Sequence, residues 1–144
     1  MMVLVQMIPG LQRLRKKSEN SINMQYILTG KVIRGDGYGK KIGYPTINLD
    51  RRHFLKLKNK PTFGVYAGWV NLKNKKYKSG IIIGPLDAKG LPKIEAHLIG
   101  FNGDAYGNFV TIEICRFIRK FKVFNNEVDL IRAIKKDIDV CSQE

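Results

Sequence analysis

Three stretches of this chain carry side chains whose types and spacing suit chemistry on an anion. Gly35-x-Gly37-x-Gly39 runs directly into Lys40 and Lys41. Closely spaced glycines expose backbone N–H groups to an incoming anion, and the two lysines add positive charge. Glycine clusters also mark ordinary hairpin tips, so the loop alone leaves both readings open. Next comes Pro45-Thr46-Ile47-Asn48. On an extended segment Thr46 and Asn48 share a face. Their hydroxyl and amide oxygens suit a hard cation such as Mg²⁺, together with phosphate oxygens. The same residue types also close ST-turns and Asx-turns. The third stretch is Glu95-Ala96-His97. A carboxylate facing a cavity there could accept a proton, although most carboxylates are simply exposed. His97 fits a hydrogen-bonded structural histidine better than a catalyst.

Two familiar nucleotide-binding signatures do not fit. A dinucleotide fingerprint needs a helix straight after its glycines, and a proline-containing segment is expected here instead. A Walker A loop needs Ser or Thr after Gly-Lys, but Gly39-Lys40 is followed by Lys41, and Arg34 stands where its first glycine would be. The two cysteines, Cys115 and Cys141, and the two histidines, His53 and His97, show no CxxC or Cys/His ligand spacing. Such cysteine usage fits a reducing cytoplasm.

The elements that must position these residues are mostly strands. Tyr26–Arg34, Phe63–Leu72, Tyr77–Ile83, Lys93–Ile99 and Phe109–Phe117 are rich in β-formers or alternate apolar with polar residues. Lys73-Asn74-Lys75 joins the second and third as a hairpin. Pro45 places Tyr44–Leu49 in a loop or at a sheet edge. Residues Arg51–Lys60 are basic and expected to be exposed, and a loop holds Pro85, Gly90 and Pro92. In Lys93–Ile99, Ile94, Ala96 and Leu98 fall on one face, with Glu95 and His97 on the other. From Val128 the period changes, and Leu130, Ile131, Ile134 and Ile138 form a helical stripe. Asn125 or Asn126 can cap that helix, with Glu127 and Asp129 in its first turn and Lys135 and Lys136 towards its end. An order without βαβ alternation predicts an antiparallel sheet curled into a barrel, with the helix packed on it or plugging one end.

The chain has 144 residues, enough for one ordinary domain, and its 44% hydrophobic content can build a core. The formal charge of +14 is compatible with an anionic partner or with plain solubility. Lysine outnumbers arginine, which weakens a base-reading interpretation. The apolar run Met1–Leu11 is too short to span a bilayer. The basic cluster Arg13–Lys17 follows that run, the reverse of a secretory signal. We therefore expect an extension over 1–24, a single domain over 25–144, no membrane partner and a monomer.

Taken in order, the motifs resemble the riboflavin kinase family. They are Gly30-Lys31-Val32 with Gly35-Asp36-Gly37-Tyr38-Gly39, Gly43-Tyr44-Pro45-Thr46-Ile47-Asn48-Leu49, Gly64-Val65-Tyr66-Ala67, Glu95-Ala96-His97-Leu98 and Asp104-Ala105-Tyr106-Gly107. The match runs from about Gln25 to Asp139. The resemblance implies a mainly β fold, a six-stranded antiparallel Greek-key barrel with a C-terminal helix. It implies ATP phosphates on Gly35, Gly37, Gly39, Lys40, Lys41, Thr46 and Asn48. Thr46 would ligate Mg²⁺, Asn48 would contact the metal or the phosphates, and Glu95 would be the general base. Riboflavin would bind nearby and leave as FMN, with ADP as the other product. The likeness is to the kinase module of bacterial bifunctional FAD synthetases. With about two dozen residues before the barrel, no adenylyltransferase domain is expected ahead of it, and FMN is the expected product. Bacterial members usually carry Asn-Ile-Gly-x-Arg-Pro-Thr where this chain has Ile82-Ile83-Gly84-Pro85-Leu86, and Phe121 stands where many have an acid. Two alternatives stand beside this reading. One is a basic barrel binding nucleic acid through Tyr38, Phe54 and Phe63; the other is a homologue that binds flavin or nucleotide without turnover.

Overall fold

Strand alternation sets the architecture. The computed structural model describes residues 26–143, so the expected extension over 1–24 lies outside the described residues. The strands are β1 (Tyr26–Ile33), β2 (Ile47–Leu49), β3 (Gly64–Leu72), β4 (Lys75–Leu86), β5 (Pro92–Leu98) and β6 (Phe109–Arg119). They close into a barrel in the order β1-β2-β5-β4-β3-β6, every pairing antiparallel. β3, β4 and β5 are consecutive neighbours and β6 returns beside β3, which is the Greek-key arrangement. Leu28, Val70, Ile81, Ile94, Ala96 and Ile112 fill the interior and are essentially inaccessible. Fully burying such side chains stabilises a fold by roughly 1.5–3 kcal/mol each for the larger ones.

Helices α1 (Tyr38–Lys41) and α2 (Arg52–Lys56) lie in connections, and α3 (Glu127–Cys141) closes the chain. Asn126 caps α3, its side-chain oxygen accepting the Asp129 N–H at 2.8 Å. The helix packs on β3 and β4 from outside. The end of the helix seats over Gly80 of β4, where an added Cβ would be in ordinary contact, 3.5 Å from Cys141 Sγ and 3.7 Å from Ile138. It therefore covers the wall and does not plug an end.

Several expectations need correcting. Pro45 does precede β2, but Ile47–Leu49 is paired on both sides, with β1 and with β5. Closure removes the edge that the proline suggested. The basic stretch after Arg51 is not wholly exposed. It folds into α2, and Phe54 reaches the core at 3% exposure. Pro85 and Pro92 fall within the ends of β4 and β5. Lys135 and Lys136 sit mid-helix, and the last turn of α3 carries no basic residue.

The β4–β5 connection is tied to α2 through Asp87. Its carboxylate accepts from Arg51 Nη1 at 2.8 Å and from the backbone N–H groups of Lys89 at 2.8 Å and Leu91 at 3.1 Å. These partners, the Arg51 guanidinium foremost, hold the carboxyl down from 3.8 to about 2. A carboxyl depressed in the folded state stabilises above its unfolded value and loses that contribution as pH falls through the folded value. Asp87→Asn should therefore lower the urea midpoint at neutral pH. The gap from the parent should close between about pH 4 and about pH 2. Urea titrations across that range check it.

Candidate active site

Register between β2 and β5 builds the site. Ile47 pairs with Ala96 and Asn48 with Glu95. Ile47 and Ala96 point into the core, so Asn48 and Glu95 must face outwards. Thr46, one residue before β2, donates from Oγ1 to Glu95 Oε1 at 3.0 Å. The other carboxylate oxygen, Oε2, lies 3.5 Å from Lys93 Nζ, two residues earlier on the same face of β5. His97, next on that face, stands 2.7 Å from the Pro45 carbonyl through Nδ1, which must carry the proton. It is a hydrogen-bonded histidine, and it fixes the segment that presents Thr46.

The glycine loop folds against this group. A side chain at Gly35 would place a Cβ 2.1 Å from Asn48 Nδ2, so only glycine allows the loop to lie on that amide. Gly37 adopts φ 76° at the start of α1, a left-handed conformation that side chains resist. The single turn Tyr38–Lys41 is a helix that the sequence pattern missed, but at 4 residues it is no dinucleotide-binding helix. Tyr38 Oη donates to Glu127 Oε2 at 2.9 Å, linking the loop to the start of α3. That acceptor raises the phenol above its ordinary 10.0, with a smaller contribution from desolvation.

Two cavities meet at Thr46, which lines both. The larger, about 610 Å³, is bordered by Gly35, Gly37, Lys40 and Asn48, with Arg34 and Tyr106 also on its wall. The smaller, about 340 Å³, is lined by Glu95, Lys93 and His97, and by Ile82, Leu130 and Ile134. The α3 stripe is consequently only half-buried, and the buried residues of the helix are Asp137 and Cys141. An apolar slot with a few convergent polar groups suits a flat, largely apolar ligand body.

Most of the expected residues converge, with two exceptions. Gly35, Gly37, Lys40, Thr46 and Asn48 border the larger cavity and Glu95 the smaller. Gly39 lies on the smaller cavity, its backbone packed on the Tyr44 carbonyl. Lys41 is exposed and lines neither. Sequence reasoning gave no role to Lys93, although its parity with Glu95 was a signal. It also missed Arg34, whose guanidinium stacks 3.8 Å from the Tyr106 ring centre and lies 3.9 Å from Asp104. The Asp104–Gly107 motif was visible there without its partner. Arg119 and Asp137 left no local signal: Nε and Nη2 donate to Oδ1 and Oδ2 at 3.0 and 2.8 Å, clamping α3 to the end of β6. Of the three aromatics that a nucleic-acid binder would use, Phe54 is in the core, whereas Tyr38 and Phe63 stay exposed at 42% and 41%.

The Flavokinase model, described as riboflavin kinase, matches residues 22–144. The chain belongs to the riboflavin kinase family. It is 34% identical over 125 residues to a bifunctional riboflavin kinase/FMN adenylyltransferase of Haemophilus influenzae, covering 85% of this chain and 39% of that protein. It is 30% identical over 122 residues to human riboflavin kinase, covering 81% of this chain and 79% of the human one. The solved riboflavin kinase of Trypanosoma brucei superposes with a TM-score of 0.61 at 24% identity, over 81% of this chain and 77% of that one, and shares the fold. The chain spans 37–39% of the bifunctional relatives it matches.

The Arg119–Asp137 clamp holds one wall of this family's barrel-and-helix unit, and Asp137 is only 8% exposed. The Arg119 side chain keeps 28% exposure, so water can partly replace a lost partner. Asp137→Ala should cost about 1–3 kcal/mol of unfolding free energy, measured in urea at neutral pH.

Proposed function

We propose that the chain transfers the γ-phosphate of ATP to the 5′-hydroxyl of riboflavin, giving FMN and ADP. The observation that carries this reading is the hydrogen bond between Thr46 and Glu95 where the two cavities meet. In this reading ATP occupies the larger cavity, its phosphates against the Gly35 and Gly37 backbone and Lys40. Riboflavin occupies the smaller one, its ring system between Ile82 and the α3 stripe and its ribityl chain directed to Glu95. The catalytic unit is the span 25–144, acting as a monomer in the cytoplasm. Among the described residues no helix is long and apolar enough to cross a membrane.

Phosphoryl transfer asks little covalent chemistry of a protein and much positioning and charge stabilisation. Glu95 takes the proton of the 5′-hydroxyl as its oxygen bonds to the γ-phosphorus. The bond from that phosphorus to the β–γ bridging oxygen breaks and ADP leaves. The carboxyl then releases its proton to solvent. Backbone N–H groups of the glycine loop and Lys40 offset the charge on the phosphates. Among the described residues no three His, Cys, Asp or Glu side chains gather into a metal site. The donors on offer are the Thr46 hydroxyl and the Asn48 amide oxygen, hard neutral ligands that suit Mg²⁺ shared with phosphates. Thr46 and Asn48 would hold such an ion, and it would neutralise charge on the nucleotide phosphates.

Incubating the purified chain with riboflavin and MgATP, with chromatographic detection, should show FMN and equimolar ADP. Tight flavin or nucleotide binding without FMN would instead support the reading without turnover. In the active protein, Glu95→Gln should lower kcat by roughly 10²–10⁴ while MgATP still binds. Undiminished turnover in that variant would remove Glu95 from the mechanism.

A further inference from the structure

Glu95 has a cation of its own. The small cavity is lined by three basic side chains, Lys93, Arg119 and Lys122. Arg119 is engaged by both oxygens of Asp137, and Lys122 Nζ lies 5.5 Å over the Phe124 ring. Lys93 is the one that reaches the carboxylate, 3.5 Å from Oε2, while Thr46 holds Oε1. The same Nζ stands 3.7 Å from Asp36 Oδ2, in the middle of the glycine loop. Asp36 and Glu95 are thus bridged by one ammonium, and the bridge spans from the nucleotide-side loop to the proposed base.

We propose that Lys93 is a positioning residue for phosphoryl transfer, orienting the Glu95 carboxylate and coupling that orientation to the glycine loop through Asp36. This rests on the kinase reading above. A carboxylate on a strand can still rotate about its terminal bonds. Two different donors, one on each oxygen, fix the plane of the group and with it the directions of the lone pairs that remain. A hydroxyl donor on one oxygen alone would leave that plane free. Lys93 and Glu95 share a face at a spacing of two, so strand geometry places the ammonium within reach of the carboxylate. Asp36 adds the loop. When the loop settles on phosphates, Asp36 moves with it, and Lys93 transmits the change to Glu95. The side chain of Lys93 is 35% exposed, and an unbranched methionine in its place retains most of the packing of its stem.

The test is steady-state kinetics of FMN formation by the full chain, comparing Lys93→Met, Lys93→Arg, Asp36→Asn and the Lys93→Met/Asp36→Asn double variant. Lys93→Met should lower kcat roughly 10- to 100-fold, as misplacement of a reacting group does. Its KM values for riboflavin and MgATP and its thermal midpoint should stay close to the parent. Lys93→Arg should restore most of the loss. Asp36→Asn should give a smaller fall, and the double variant should be no slower than Lys93→Met, because the two act through one bridge. Parent-like kcat in Lys93→Met overturns the proposal. So does a loss that appears in KM or thermal midpoint, or that Lys93→Arg fails to recover. Additive effects of the two substitutions overturn the coupling through Asp36. A parent chain that makes no FMN overturns the kinase reading itself, an outcome visible before any variant is compared.

Discussion

The register of β2 against β5 governs everything that happens on the outer wall of this barrel. β2 is only 3 residues long, yet it is held on both sides. Side chains alternate along a strand, so a slip of one residue would exchange its two faces. Ile47 would leave the core and Asn48 would enter it, an apolar loss compounded by a buried amide without partners. The hydrophobic core therefore fixes which way Asn48 and Glu95 point. The Thr46–Glu95 hydrogen bond, between residues 49 apart in sequence, is a consequence of that core packing.

A site on the outside of a closed barrel needs a second wall, and here the glycine loop and α3 supply it. The loop can lie on Asn48 because Gly35 has no side chain. The helix leaves its apolar stripe half-covered, facing the smaller cavity. Leaving apolar surface accessible forfeits burial energy of about 25 cal/mol per Å². The helix is retained by other means, through the paired hydrogen bonds of Arg119 with Asp137 and the seating of Cys141 over Gly80. The Arg119–Asp137 pair borders that same cavity, so one side of α3 carries both the apolar lining and the contacts that hold the helix.

Much of this was legible in the chain itself. Alternation in Lys93–Ile99 and Phe109–Phe117 revealed which faces are core, and the change of period at Val128 marked the helix, with Asn125 or Asn126 as its cap; the structure selects Asn126. The order of the motifs pointed to the family and to the barrel. Other features arise only from closure and long-range packing. Pro45 spoke for an edge, and a closed ladder has none. Phe54 looked exposed among lysines and arginines because the pattern around it is polar; α2 turns it inwards. Lys41 was grouped with Lys40 by adjacency, yet one helical turn sends them apart. Arg119 and Asp137 meet across 18 residues, and no spacing rule joins a strand end to the middle of a helix.

The central claim is spatial: two ligands in separate cavities present their reacting atoms to one carboxylate beside Thr46. A crystal structure of the chain with riboflavin and a non-hydrolysable MgATP analogue tests it most directly. The account predicts the triphosphate in the cavity bordered by Gly35 and Asn48, the flavin ring against Leu130 and Ile134, and the 5′-hydroxyl within about 2.6–3.2 Å of Glu95. Ligands in exchanged cavities, or a hydroxyl turned away from Glu95, would contradict it.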